Sequence, residues 1–194
     1  MDENRINKVE KYSKSGKEES ISAYDIVEII AVAFAVVIFV FNFVGRMTTV
    51  DGSSMSPTLE NGERLWVMSM GYTPGNGDVV VVHEDDGELN YPLVKRIIAM
   101  GGQTIEFDFE EWSVYVDGEL LEEDYVNYDY FVDMKSYGCP EKVVVPDGYV
   151  FVMGDNRNGS TDSRDDRVGF VSEDDIVGKV VCRIWPMEKF GFVK

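Results

Sequence analysis

Asp78-Val79-Val80-Val81-Val82-His83 and Leu93-Val94-Lys95-Arg96-Ile97-Ile98 flank the turn signal Asp85-Asp86-Gly87, and this pair of runs decides the fold class. Branched side chains suit a pleated surface, and Asp and Gly tolerate the backbone angles of a tight turn, so the two runs read as strands separated by a turn. Working outward, Arg64-Leu65-Trp66-Val67-Met68, Ser113-Val114-Tyr115-Val116-Asp117, Lys142-Val143-Val144-Val145, Tyr149-Val150-Phe151-Val152-Met153 and Gly178-Lys179-Val180-Val181-Cys182-Arg183-Ile184 have the same character. Pro74-Gly75-Asn76-Gly77, Asp117-Gly118 and Pro146-Asp147-Gly148 punctuate them. With no helix of useful length between these runs, the expected fold is mostly β, an antiparallel barrel-like domain rather than alternating βαβ units. The stretch from about 106 to 140 is acidic and tyrosine-rich with its own hairpin signal, and is expected to be a small β insertion.

Upstream, residues 26–44 are apolar except for Glu28 and Asn42. A helix rising about 1.5 Å per residue over that length crosses a hydrocarbon layer of roughly 30 Å. A buried core helix and a cleaved secretory signal are the alternatives. The first lacks partner helices, and the second lacks a small-x-small site, since Gly45-Arg46-Met47 follows. Residues 1–25 carry Arg5, Lys8, Lys11, Lys14 and Lys17 among acidic residues and read as a solvated cytoplasmic tail. The expected organisation is that tail, one transmembrane helix over 26–44, and a β-rich domain over 46–194 outside the cell membrane.

Lys and Arg total 18 against 36 Asp and Glu, a formal charge of -18, which repels phosphate backbones and argues against a nucleic-acid partner. A single histidine and two cysteines are too few for a His/Cys zinc site, so no metal and no cofactor are expected. His83 is expected to be exposed at a strand end. Cys139 and Cys182 either form a disulfide or remain free thiols.

The chemistry concentrates in three segments. Gly52-Ser53-Ser54-Met55-Ser56-Pro57-Thr58-Leu59 holds a serine in a turn bounded by Gly and Pro, which can project a hydroxyl or merely satisfy local backbone groups. Lys95 lies within an apolar run. On the solvent face it would be ordinary; turned inward, it would be desolvated and its amine driven toward the neutral, proton-accepting form. Gly154-Asp155-Asn156-Arg157-Asn158-Gly159-Ser160-Thr161-Asp162-Ser163-Arg164 has the composition of a surface loop, and equally of an ion-paired site wall.

Together, the anchor, the Gly-x-Ser-Met-x-Pro-Thr-Leu segment, Gly77-Asp78-Val79, the Lys95-Arg96 strand and the Gly-Asp-Asn-Arg loop resemble the type I signal peptidases, membrane-anchored serine endopeptidases of bacteria. The resemblance implies Ser54 as nucleophile and Lys95 as general base, with Ser53 and Ser56 as neighbours and Arg96 as a structural companion. It implies that Ser160 orients the lysine and that Asp162 and Arg164 brace the wall. Gly52 stands where some members have a serine, leaving the oxyanion to backbone N–H groups such as that of Ser54. Asn158-Gly159 stands where many members have Asp-Asn, giving an expectation of a less charged, more flexible loop.

The implied substrates are the signal peptides of secretory pre-proteins, cut after small residues at the first and third positions before the bond. Membrane lipid and the protein-translocation machinery are candidate partners. A nucleophile ten residues past Val44 fits a substrate whose own apolar segment remains in the bilayer. Val50, Met55, Leu59, Leu93 and Val94 are candidate pocket residues, with plain core as the competing role. Trp66, Met68, Met70 and Trp185 have lipid contact or core as alternatives. Other functions stay in view: a sortase-like transpeptidase using Cys182, His83 and Arg183, a self-cleaving repressor, and a non-catalytic membrane-tethered binding module.

Overall fold

The computed structural model describes residues 22–39, 45–83, 91–128 and 132–193. The chain divides into two units, residues 1–40 and 41–194.

In the first unit, helix α1 spans Ala23–Phe39. It begins three residues before the expected Ile26 because Ser22 and Asp25 cap its end. Ser22 Oγ accepts from the Tyr24 amide and the Asp25 carboxylate accepts from the Ser22 amide, satisfying donors that have no partner within the helix. None of its residues is buried. Among the described residues no helix is long and apolar enough to cross a membrane. Most of the expected tail, residues 1–21, and the end of the expected span, residues 40–44, lie outside the described residues.

The second unit is mostly β. Its strands are β1 (Gly45–Thr49), β2 (Arg64–Met68), β3 (Val79–Val82), β4 (Leu93–Met100), β5 (Thr104–Asp108), β6 (Ser113–Val116), β7 (Glu119–Leu120), β8 (Lys142–Val144), β9 (Tyr149–Met153), β10 (Val171–Ser172), β11 (Ile176–Trp185) and β12 (Gly191–Phe192). An eight-stranded sheet has the order β1-β2-β11-β3-β4-β9-β10, with β12 also on β11. Every described pairing is antiparallel. The ten-residue β11 carries register shifts against both β2 and β3. Such bulges sharpen local twist and bend a strand, which curls the sheet into a half-barrel. Val50, Met55, Leu59, Leu65, Val67, Val79, Val81 and Val180 fill one side of it.

A four-stranded sheet, β7-β6-β5-β8, runs through the stretch read as an insertion. Its core joins Ile105, Trp112 and Val114 to Phe151 and Met153 of β9. Lys142–Val144, expected among the barrel strands, pairs with β5 in this sheet instead. Strands β1, β5, β7, β10 and β12 go beyond those expected from the sequence. β1 has only one buried residue in five, so main-chain bonds to β2 rather than an apolar pattern define it. β5 does alternate, with Ile105 and Phe107 buried, but its polar residues mask the pattern.

Arginines join the second sheet's loops to the half-barrel. The Arg96 guanidinium lies 3.8 Å from the centre of the Tyr125 ring, Arg157 pairs with Glu123, and Arg164 donates to the Lys135 carbonyl at 2.7 Å. Both side chains of the Arg157–Glu123 pair are 1% exposed. Removing one member of such a pair strands the other charge, at a cost of about 3–5 kcal/mol. Glu123→Ala is therefore expected to lower the thermal midpoint by about 6–20 °C, at about 2–4 °C per kcal/mol for a domain of this size. Glu106→Ala, which breaks the exposed pair with Lys142, should shift it by no more than about 4 °C, since such pairs contribute up to about 1 kcal/mol. Circular dichroism melts of the three proteins check this.

Candidate active site

The turn between β1 and β2 carries Ser54. Its ends are tied together: the Val50 amide donates to the Glu63 carbonyl and the Gly62 amide to the Val50 carbonyl, both at 2.9 Å. Gly52, at φ +91°, occupies the left-handed region, and its amide donates to Asn61 Oδ1. A single helical turn follows, closed by the Leu59 amide on the Met55 carbonyl. Met55 and Leu59 are buried in the half-barrel core and root the turn, while Ser54 remains half-buried above them.

Lys95 lies in β4 opposite Val80. It is 2% exposed, and its Nζ donates to Ser54 Oγ at 2.9 Å and to the Val94 carbonyl at 3.1 Å. Burial lowers its pKa to about 8; the carboxylates of Asp162 and Asp155 oppose the shift and Arg164 adds to it. The lowering brings the uncharged, proton-accepting amine closer to neutral pH, beside a serine hydroxyl.

The loop after β9 forms the wall. Gly154 permits its close approach: a Cβ there would meet Ser160 Oγ at 2.3 Å and the Ser54 carbonyl at 2.4 Å. The Asn156 amide then donates to the Ser54 carbonyl at 3.0 Å and its carboxamide to the Ser53 carbonyl at 3.1 Å. Asp155 receives Arg96 through two bonds, at 2.9 and 2.7 Å, and also accepts from Thr58 Oγ1. Asp162 receives Arg164 in the same forked manner and accepts from the Gly154 amide at 3.0 Å. Arg96, Asp155, Asp162 and Arg164 are all buried.

The Asn158-Gly159 pair lies within hydrogen-bonded structure. Residues 157–159 form a 3-10 turn capped by Asn156, and Asn158 ties it to the neighbouring loop, accepting from the Lys135 amide at 2.8 Å and donating to the Asp133 carbonyl at 3.2 Å. Ser160, expected to orient the lysine, follows this turn at its C-terminal end. Its Oγ is buried and has no hydrogen-bond partner among the described residues, while the Lys95 amine is directed to Ser54 Oγ and Val94 O.

A cleft of about 230 Å³ runs beside Ser54 and Lys95. Of the expected pocket residues, Val50, Met55, Leu93 and Val94 line it; Leu59 does not and is wholly enclosed in the core. Its two sides are strand edges. Among the described residues, β1 pairs only with β2, and β9 joins β4 only from Arg96 onward, so Leu93–Lys95 have one side unpaired by any described strand.

The remaining candidates lie elsewhere. His83 is half-buried rather than exposed, because its amide continues the β3–β11 pairing onto the Asp175 carbonyl. Cys182 lies seven residues further along β11, roughly 23 Å at about 3.3 Å per residue, so the sortase-like set is not assembled. Arg183 is engaged with Glu63 and the Thr58 carbonyl. Both cysteines are free, and burial pushes the Cys139 thiol up to about 11. Met70 and Trp185 are exposed, not core, whereas Trp66 and Met68 are half-buried. Sequence reasoning missed Thr58, Asn156, Glu123 and Tyr125 as site-wall partners. The available signal was the number of arginines near the motifs, since a buried guanidinium requires an acid or an aromatic face.

The family described as "Signal peptidase, peptidase S26" matches residues 23–185. Signal peptidase IB of Staphylococcus aureus is 38% identical over 178 residues, covering 84% of this chain and 90% of its own. A probable signal peptidase I-1 of Synechocystis sp. is 36% identical over 174 residues, covering 85% and 84%. A crystal structure of a signal peptidase I from Enterococcus faecalis V583 aligns with a TM-score of 0.46 and 28% identity, over 57% of this chain and 98% of that one. The family match takes in the turn of Ser54, the strand of Lys95 and the wall that packs on both, and the chain belongs to the signal peptidase family, peptidase S26.

Proposed function

We propose that this chain is a membrane-anchored serine endopeptidase that removes signal peptides from exported pre-proteins, with Ser54 as nucleophile and Lys95 as general base. The observation that carries the reading is the 2.9 Å contact between Lys95 Nζ and Ser54 Oγ at a site where the lysine is almost wholly buried. A serine hydroxyl becomes a competent nucleophile when a neighbouring base takes its proton, and an amine with a lowered pKa can be that base without histidine. Ser54 Oγ attacks the scissile carbonyl as its proton passes to Lys95. The Ser54 amide is the proposed donor to the developing oxyanion. Lys95 then returns the proton to the leaving amine, and water, deprotonated by the same lysine, hydrolyses the acyl group from Ser54.

The open edges of β1 and β4 favour an extended substrate bound as an added strand, its main chain bonded to them and its alternate side chains directed into the cleft beside Val50, Leu93 and Val94. Asp162, Arg164, Asp155 and Arg96 are positioning residues on this reading: they fix the wall that packs against the Ser53 and Ser54 carbonyls. Helix α1, with its apolar side chains unburied, suits a lipid-embedded anchor. The lysine-bearing tail is proposed to lie in the cytoplasm and the β domain outside, with lipid and the translocation machinery as partners.

Ser54→Ala and Lys95→Ala are each expected to reduce cleavage of a secretory precursor by on the order of 10²-fold or more, because a general base alone contributes that much. Full cleavage by either variant, read on gels with detergent-solubilised protein, would overturn the dyad. The pH dependence has a definite sign. Below about 8 the amine is protonated and cannot accept, so kcat/KM should rise with pH and level off above about 8. Below the bend it should fall about tenfold for each pH unit. A flat profile between about pH 6 and 9 would contradict the assignment.

A further inference from the structure

A second hollow adjoins the cleft and is used by nothing in the mechanism. It measures about 210 Å³, and its walls are mainly apolar, including Val67 of β2, Val81 of β3, Pro92 and Val177, with Thr48, Arg46 and His83 adding polar groups. Thr48 and Pro92 also line the cleft beside Ser54, so the two spaces are neighbours that share a wall. The cleft has a direction. Its lining runs from Ser54 and Lys95 back along the chain to Thr48 on β1 and to Tyr91 before β4, with Ser54 and Lys95 at one end. Substrate residues held there lie on one side of the cleaved bond. If small residues before the bond are the ones selected beside Val50, Leu93 and Val94, that side is the amino-terminal one.

An extended chain advances about 3.3 Å per residue and alternates its side chains between two faces. The first, third and fifth residues before the bond therefore face the same wall. β1 has the same spacing, so a third residue level with Val50 places the fifth level with Thr48, where the cleft and the hollow share that wall. We propose that this hollow is a further substrate subsite, taking an apolar side chain at the fifth residue before the cleaved bond. This rests on the peptidase reading. The hollow has the volume of about seven waters, at about 30 Å³ each, which is room for one large side chain. Its buried floor of Val67 and Val81 offers a polar side chain no exchange for lost hydration.

The test uses the full chain in detergent and peptides that differ only in carrying Leu or Ser at one of the fourth to eighth positions before the bond. A Leu over Ser preference in kcat/KM of roughly tenfold is expected at the fifth position and not at the others. Val177→Phe, which fills the hollow, should abolish that preference. Val177→Ala, which enlarges it, should raise cleavage of a fifth-position Phe peptide relative to the Leu peptide, and it serves as the second variant should Val177→Phe fail to fold. Equal kcat/KM for all peptides, a preference at another position, or a Phe-to-Leu ratio unmoved by Val177→Ala would overturn the subsite and leave the peptidase reading intact. Cleavage of no peptide at all would overturn the peptidase reading, and the subsite with it.

Discussion

A lysine held out of water against a serine hydroxyl is the constraint on which the site depends. Water stabilises an ammonium ion strongly, so burying Lys95 favours the neutral amine. Lowering the pKa from 10.5 to about 8 makes the charged form on the order of 3 kcal/mol less favourable here than in water, at about 1.4 kcal/mol for each tenfold change in proton affinity. The nearby carboxylates of Asp155 and Asp162 pull the other way, but each is neutralised by its own arginine. Desolvation outweighs the pull of those acids, and Arg164 adds to the lowering. Arg164 thus acts on the electrostatics of the site as well as on its shape.

The same arginines bind the second sheet to the half-barrel. Arg96 follows Lys95 in β4 and reaches both Asp155 and the Tyr125 ring. Arg157 joins Glu123 to the Gly154 carbonyl, and Arg164 joins Asp162 to the carbonyls of Lys135 and Arg157. Packing density around Gly154, where no Cβ fits, then sets how closely the wall approaches Ser54. An insertion distant in sequence from both proposed dyad members therefore helps to fix their surroundings.

Much of this is legible in residue order. The valine-rich run of β3 and the aromatic alternation of β9 declare strands because their branched and ring side chains have few other uses. Motifs locate the turn of Ser54 and the strand of Lys95, although only packing shows that Lys95 turns inward. β1 is invisible to such reading, since Gly45-Arg46-Met47-Thr48-Thr49 has no period of two and is held by bonds to β2. The close approach of Ser160 to Gly154, where a Cβ would stand 2.3 Å from its Oγ, is a matter of packing that no sequence pattern encodes. The partners of Asn158 are hidden from sequence reading because Asp133 and Lys135 lie on a different loop.

The decisive quantity is the affinity of Lys95 for one proton, and it can be observed directly. Heteronuclear NMR titration of the lysine side chains in the detergent-solubilised chain, with Lys95→Ala to assign the resonance, measures the pKa of that amine. The structure predicts about 8, well below the ordinary lysine value. A midpoint at 10 or above would mean that Lys95 is charged under all working conditions, and the proposed base would be the wrong residue.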